Sequence, residues 1–328
     1  MACSFRAWAG RCLRPTKRRI LVCGILAALT SVWLLYFTPA QRAARHRLSE
    51  ADEKSRAALD QRLRPVAELF AKGRNGAKAF AAEALSWSGK WALVKGTLGI
   101  GGRNAHRAFL AEVFARQVFS EQELRTAMEG VVNAYLLDLD GVENEMLVRL
   151  RADLADLDHS GQSLPSYLRS DEAFRREYRQ LADRVIQTME TDLGVRLGRE
   201  VGLLVASEVV TQAALQAART AAAEMGVEAG VLGAGAGSTV ATLGIGMVIF
   251  VILDYVLDSV FKVAGYDPAA KIAGQVKTSL DKAEAALTGK AGWFAKSGAL
   301  RQQMEKLHEA RSILRQQTVA LILKGGNQ

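Results

Sequence analysis

Thiol chemistry is nearly absent from this chain of 328 residues. Its three cysteines, Cys3, Cys12 and Cys23, all fall within the first 23 residues, so the rest has neither disulfide nor thiolate chemistry. Proline is scarce as well, at five residues, and with abundant Ala, Leu, Arg and Glu this favours long helices. The four histidines, His46, His106, His159 and His308, share no ligand spacing with one another or with a cysteine, which argues against a zinc site. Catalytic signatures are missing too: there is no G-x-S-x-G elbow, no H-E-x-x-H helix and no P-loop, since Gly89-Lys90 lacks both the upstream glycine and the following hydroxyl.

Two acidic clusters, Asp138-Leu139-Asp140-Gly141 and Asp156-Leu157-Asp158-His159, resemble the start of a calcium loop. Both fail the full pattern. A loop from Asp156 places Tyr167 where a bidentate Glu is needed, and a loop with Gly141 at its sixth position runs from Leu136 to Leu147. The sequence therefore predicts no metal, no cofactor and no enzyme activity.

Charge is present but unevenly placed. The net charge is +9. Residues 1–20 hold six Lys/Arg and no acid, and Lys262 to the end holds eleven Lys/Arg against five acids, whereas the middle is close to balanced. A basic excess at the two ends, beside hydrophobic segments, suits a membrane surface better than nucleic acid. Ile20 to Phe37, ILVCGILAALTSVWLLYF, is uncharged and long enough, at 1.5 Å per helical residue, to cross a ~30 Å hydrocarbon core. It reads as an uncleaved anchor over residues 20–38. A cleaved signal peptide, with Thr38 and Ala40 as its small residues, and a mitochondrial presequence are the alternatives.

Helical periodicity covers the rest. A charged helix is expected from Ser49 to about Gly73, capped at Ser49 and broken by Pro65; a second places Phe80, Trp87, Trp91 and Val94 on one face. Phe109, Leu110, Val113, Phe114 and Phe119 form the stripe of a third. Ser120 with Glu123 forms a capping box, and Leu124, Met128, Val131, Tyr135, Leu139, Val142, Met146, Leu150, Leu154 and Leu157 carry a stripe of steps of three and four, of the coiled-coil type, to about Asp158. Ser170 caps a helix that reads as continuous to Met225. Asp267 caps a further one with Pro268 at its first position, and Leu300, Met304, Leu307, Leu314 and Leu321 mark the last.

Residues 229–253, AGVLGAGAGSTVATLGIGMVIFVIL, are the longest charge-free run outside the N-terminal segment. Gly230-Val-Leu-Gly-Ala-Gly-Ala-Gly looks like a dinucleotide-binding turn, with Asp254 near where a ribose-binding acid belongs. Three features count against that reading. Ser238 stands where the fingerprint wants its third Gly or Ala, the helix between turn and strand would be barely two turns long, and the following residues read as helices, not further strand–helix units.

A spanning helix uses every feature of the run: Gly230, Ala234, Ser238 and Gly246 share one i,i+4 ridge with Thr242, and Gly233, Gly237 and Ala241 form another. A matching ridge, Gly194, Gly198, Gly202 and Ala206, lies upstream. Residues 201–218 are a possible third hydrophobic helix, read as buried because Glu208 at mid-depth is costly. Glu208, Asp254 and Asp258 are the candidate membrane or interface carboxylates.

The expected architecture is all-α with two transmembrane helices: a basic cytoplasmic N-terminus (1–19), an anchor (20–38), a helical extracytoplasmic domain (39–228), a glycine-ridged span (229–261) and a basic helical tail (262–328) returning to the cytoplasm. Such a chain would sit in a cell (inner) membrane, with lipid and other membrane helices, or copies of itself, as partners and no nucleic acid. The expected function is a non-catalytic scaffold or assembly component packing through the small-residue ridges, like a glycine zipper. The alternative is a pore built on a hairpin of 201–218 with 229–253. A nucleotide-binding enzyme is the remote third reading.

Overall fold

The computed structural model describes residues 38–86, 102–157, 165–188, 202–227, 243–262, 267–289 and 298–325, except for the side chains of residues 60, 102–106, 188, 202–205, 243, 258–262 and 325. They form an all-helical bundle, with no β-strand among the described residues. In chain order the helices are α1 (Pro39–Arg62), α2 (Arg64–Ala84), α3 (Gly102–Gln117), α4 (Glu121–Leu157), α5 (Asp171–Thr188), α6 (Gly202–Met225), α7 (Leu243–Lys262), α8 (Pro268–Thr288) and α9 (Ala299–Gly325), with a 3-10 turn at Ser166–Leu168 before α5.

The first helix begins ten residues earlier than expected. Thr38, not Ser49, is its cap: Thr38 Oγ1 accepts from the Gln41 amide at 3.3 Å, and the Thr38 amide donates to Gln41 Oε1 at 3.1 Å. This reciprocal capping box satisfies two amides that the first turn leaves over. The break at Pro65 is real but falls at Leu63, because proline is tolerated in the first turn of α2 and not inside a helix. Ser120 and Glu123 form the expected box ahead of α4, with hydrogen bonds of 3.1 and 2.8 Å. Ser170 Oγ accepts from the Ala173 amide at 3.1 Å. Asp267 takes the left-handed conformation (φ 56°) and its carboxylate accepts from the Ala270 amide at 3.0 Å. Residues 189–201, in the middle of the single helix expected from Ser170 to Met225, lie outside the described residues.

Side chains divide between two apolar clusters. The larger joins the end of α1, α2, α3, the first half of α4, α6, α7, α8 and the first half of α9; the smaller joins the earlier part of α1, the second half of α4, α5 and the second half of α9. In the larger one, Phe70, Phe114 and Phe119 meet edge to face, with ring centroids 5.2 Å (Phe70–Phe119) and 5.4 Å (Phe114–Phe119) apart. Glycine makes this contact possible. A Cβ on Gly76 would stand 1.8 Å from the Gln117 carbonyl oxygen, so α2 and the end of α3 approach only where α2 has no side chain.

The last two helices belong to the same packing. The stretch expected to be a tail supplies α8, which lies against α2, α6 and α7, and α9, which lies against α1, α5 and α6. Leu300, Met304, Leu307 and Leu314 of the predicted stripe are buried, whereas Leu321 is 38% exposed.

Among the described residues no helix is long and apolar enough to cross a membrane. The expected second span is described only from Leu243 onward, as the start of α7. There Ile245, Val248, Val251, Ile252 and Leu253 are buried in the same cluster as Phe70 and Phe114. The apolar run that reads as a lipid-facing span is, in this part, a core helix, because a protein interior and a bilayer select the same side chains. Its expected first half, 229–242, and the anchor segment 20–37 lie outside the described residues.

Candidate functional site: a polar layer between three helices

The two apolar clusters are separated by polar residues on α1, α4 and α9. Helices α1 and α4 run antiparallel, as their ion pairs show: Arg62–Asp138 (2.7 Å), Lys54–Glu145 (2.9 Å) and Arg47–Asp153 (2.7 Å) step along both in opposite directions. α9 is antiparallel to α1 as well, pairing His308 with Arg56 and Arg315 with Asp52. At the level where these three helices meet, each interrupts its own apolar stripe. On α1 the interruption is Asp52, Ser55 and Arg56; on α4 it is Glu143, with Tyr135 one helical turn before the last residue of the larger cluster, Leu139; on α9 it is His308, Arg311, Ser312 and Arg315.

Arg315 is the centre of the layer and is fully buried. Its Nη2 donates to Asp52 Oδ1 at 2.6 Å, while Ser312 Oγ donates to Asp52 Oδ2 at 2.8 Å, so both oxygens of the carboxylate are engaged. Arg56 Nε donates to His308 Nε2 at 3.4 Å. Arg311 faces Asp140 and Glu143 at 3.7 and 3.8 Å, close enough for attraction but beyond hydrogen-bond length. Burial holds the His308 imidazole below its ordinary pKa and, as the largest of several influences, pushes the Tyr135 phenol well above its own. Both groups are therefore uncharged at neutral pH.

Two open grooves flank the α1–α9 seam. One, of about 810 Å³, is lined by Asp52, Arg56, Leu59, His308, Ser312 and their neighbours. The other, of about 720 Å³, continues along Ala44, Leu48, Val319 and Leu323. The layer thus lies just behind a solvent-filled cleft.

Ionic order extends along the outer seam of α1 and α4. Glu50 receives Arg47 and Arg149 and pairs with Lys54, and these cations, Lys54 first, hold its carboxyl down to about 2. Arg47 in turn is held above its ordinary value, chiefly by Asp153.

The residues singled out from the sequence fare differently. Ala206 is buried on α6 and Gly202 opens that helix, with its surroundings outside the described side chains. Gly246 lies on α7, where an added Cβ would come to 3.3 Å from a Glu121 carboxylate oxygen. Glu208 is exposed on α6, as the reading of that helix as buried rather than spanning would allow. Asp254 is paired with Arg107 of α3 at 2.5 Å, and the same guanidinium lies 4.4 Å from the centroid of the Phe250 ring. Gly194, Gly198, Gly230, Gly233, Ala234, Gly237, Ser238 and Ala241, and the side chain of Asp258, lie outside the described residues. Small-residue packing does occur within the described part. Ala213, Ala214, Ala217, Ala218 and Ala221 are buried on α6, and a Cβ on Gly244 would meet the Thr211 carbonyl oxygen at 2.8 Å.

Sequence reasoning missed the polar layer. A signal was present. The stripe of the last helix jumps from Leu307 to Leu314, and the position skipped between them at helical spacing is Arg311; on α4, Glu143 sits four residues after Leu139 on the buried side. No group of three or more metal-type ligands is found among the described residues. Compared with known proteins, the chain matches no family model, no curated protein and no solved structure.

Proposed function

We propose that the chain is a non-catalytic helical scaffold, held at a membrane by residues 20–38 and assembling through its helices. One observation carries this reading. α1 begins directly after the apolar segment and is tied into the bundle from Arg47 to its last residue, by Arg47–Asp153, Asp52–Arg315, Lys54–Glu145 and Arg62–Asp138. A helix fixed at that many levels transmits the position and orientation of whatever precedes it to the entire bundle. An isolated surface pair is worth about 0–1 kcal/mol, but pairs repeated on one seam fix register as well as adding stability.

The test is fractionation of the full chain and of a chain lacking residues 1–38, followed by light scattering in detergent. The full chain should resist carbonate extraction from membranes and self-associate, and the truncated chain should be released. A full chain that is extracted by carbonate removes the tether. A strictly monomeric chain that Gly198→Leu and Gly237→Leu leave unchanged removes the assembly role.

A second reading, a pore-forming hairpin of α6 and α7, is favoured by the burial of α7. None of its described side chains, residues 244–257, is exposed, and α6 is its principal neighbour. In that reading the surrounding helices shield an insertable element, and the Arg107–Asp254 pair holds it in place. Release of a trapped dye from anionic vesicles, increased by Arg107→Ala, would support it; vesicles left sealed by both chains would dismiss it.

A further inference from the structure

Helix α9 changes character at its midpoint. Its first half turns Glu305, Lys306 and Glu309 to solvent, as a surface helix does. From Ser312 to Leu323 the one charge is Arg315, which is buried against Asp52. The exposed residues of that half are Ile313, Gln316, Gln317, Ala320 and Leu321, none of them charged. Beside them runs the groove of about 720 Å³ along Ala44, Leu48, Val319 and Leu323. A solvated helix has no use for such a face.

Its place follows from the antiparallel register. Asp52 meets Arg315, so Ala44, eight residues back on α1, is level with Leu323, eight residues on along α9. Ala44 is seven residues past Phe37, the end of the apolar run, or about 10 Å of helix. The headgroup layer is roughly 5–8 Å deep on each side of the hydrocarbon. With residues 20–38 in the bilayer, the reading on which this inference rests, the end of α9 stands within about one side chain of the headgroups.

Charge decides which side leans in. The first turns of α1 hold Arg42, Arg45 and His46 with no acid before Glu50, and α9 after Glu309 holds none, ending at the exposed Lys324. The groove does have two carboxylates, Asp52 and Glu53, but they lie two turns or more beyond Ala44, and Asp52 is paired with Arg315. On the other side of α1, the end of α4 carries Asp153 and the exposed Asp156 against Arg151, and residues 169–177, around the start of α5, are matched at three acids to three arginines.

We propose that the bundle docks on an anionic lipid surface through its α1–α9 face, with Leu321 and Leu323 in the interface and Lys324 and Arg45 among the headgroups. A second copy of the chain is the less suitable occupant, because facing copies would bring like cations into one groove.

The test uses the full chain with Cys3, Cys12 and Cys23 replaced by serine, carrying the fluorophore NBD on Leu321→Cys or, as a control, on Leu137→Cys, an exposed site near the opposite end of α4. Each is reconstituted into phosphatidylcholine–phosphatidylglycerol vesicles containing headgroup-nitroxide lipid and then floated. Quenching should be several-fold greater at 321 than at 137, and should drop with Lys324→Gln or in vesicles of phosphatidylcholine alone. Floated chain with equal quenching at the two sites overturns the docking and leaves the tether standing. So does a disulfide between unlabelled Leu321→Cys chains without quenching, which gives the face to a second copy. Quenching that is unchanged on neutral vesicles overturns the anionic surface. Chain that does not float overturns the tether, and this proposal with it.

Discussion

Arg315 donates from Nη2 to Asp52 Oδ1 over 2.6 Å, although 263 residues separate the two in sequence, and the guanidinium is fully enclosed while the carboxylate keeps partial access to water. This asymmetry makes the arginine the vulnerable partner. Asp52→Ala leaves a buried charge without its counter-ion and should cost about 3–5 kcal/mol, whereas pairing it with Arg315→Met should recover much of the loss. Urea unfolding of the two single variants and the double variant measures this as a coupling energy.

Glycines on α2 and α4 should respond in opposite directions. Gly76→Ala drives a Cβ into the backbone oxygen of Gln117, which cannot swing away, and should lower stability by at least ~1–3 kcal/mol. Gly130 and Gly141 lie inside α4 with nothing within 4 Å of an added Cβ. Gly130→Ala and Gly141→Ala should each stabilise by about 0.5–1 kcal/mol through helix propensity alone. Thermal melts of the three variants check the contrast.

Stability should fall on acidification in two separate windows. The His308 pKa is lower in the folded chain, so the unfolded chain binds the proton more readily. The contribution is complete above the ordinary imidazole value of about 6.5 and is lost as pH falls below it. His308→Gln should flatten that part of the profile. Glu50 is also depressed, to about 2 from an ordinary 4.5, so its share persists above 4.5 and disappears as pH falls from there toward 2. Glu50→Gln should remove the lower window only. Both are read from unfolding free energy against pH.

Capping gives a further, local test. Ser120→Ala removes the acceptor for the Glu123 amide and one half of the reciprocal box, and should cost about 1 kcal/mol. Ser120→Asp, which restores an acceptor at the start of a helix dipole, should return most of it. Hydrogen exchange at the first turn of α4 reports the same change residue by residue.

Much of this fold was legible one helix at a time. The capping box at Ser120, the cap at Asp267 and the stripes from Leu124 to Leu154 and from Leu300 to Leu314 were all readable, because caps and 3.6-residue periodicity are local properties. The cap at Thr38 was obscured by an apolar segment directly before it, which draws the same residue into a cleavage-site reading. The candidate site was hardly legible at all. Arg311, Glu143 and Ser55 look like breaks in three separate stripes, and only antiparallel packing of α1 against α4 and α9 turns those breaks into one layer.

By itself the amino-acid sequence determined that the chain is helical, where α4, α5 and α8 start, and which residues are apolar on most of its helices. The tertiary structure alone decided what that apolar surface meets. Ile245 to Leu253 would suit lipid, yet they pack against α6 and α8, and Asp254 at the end of the run is neutralised by Arg107. Hydrophobicity states only that a side chain leaves water. Whether it enters a bilayer or a protein core depends on the helices folded around it, and those come from distant parts of the chain.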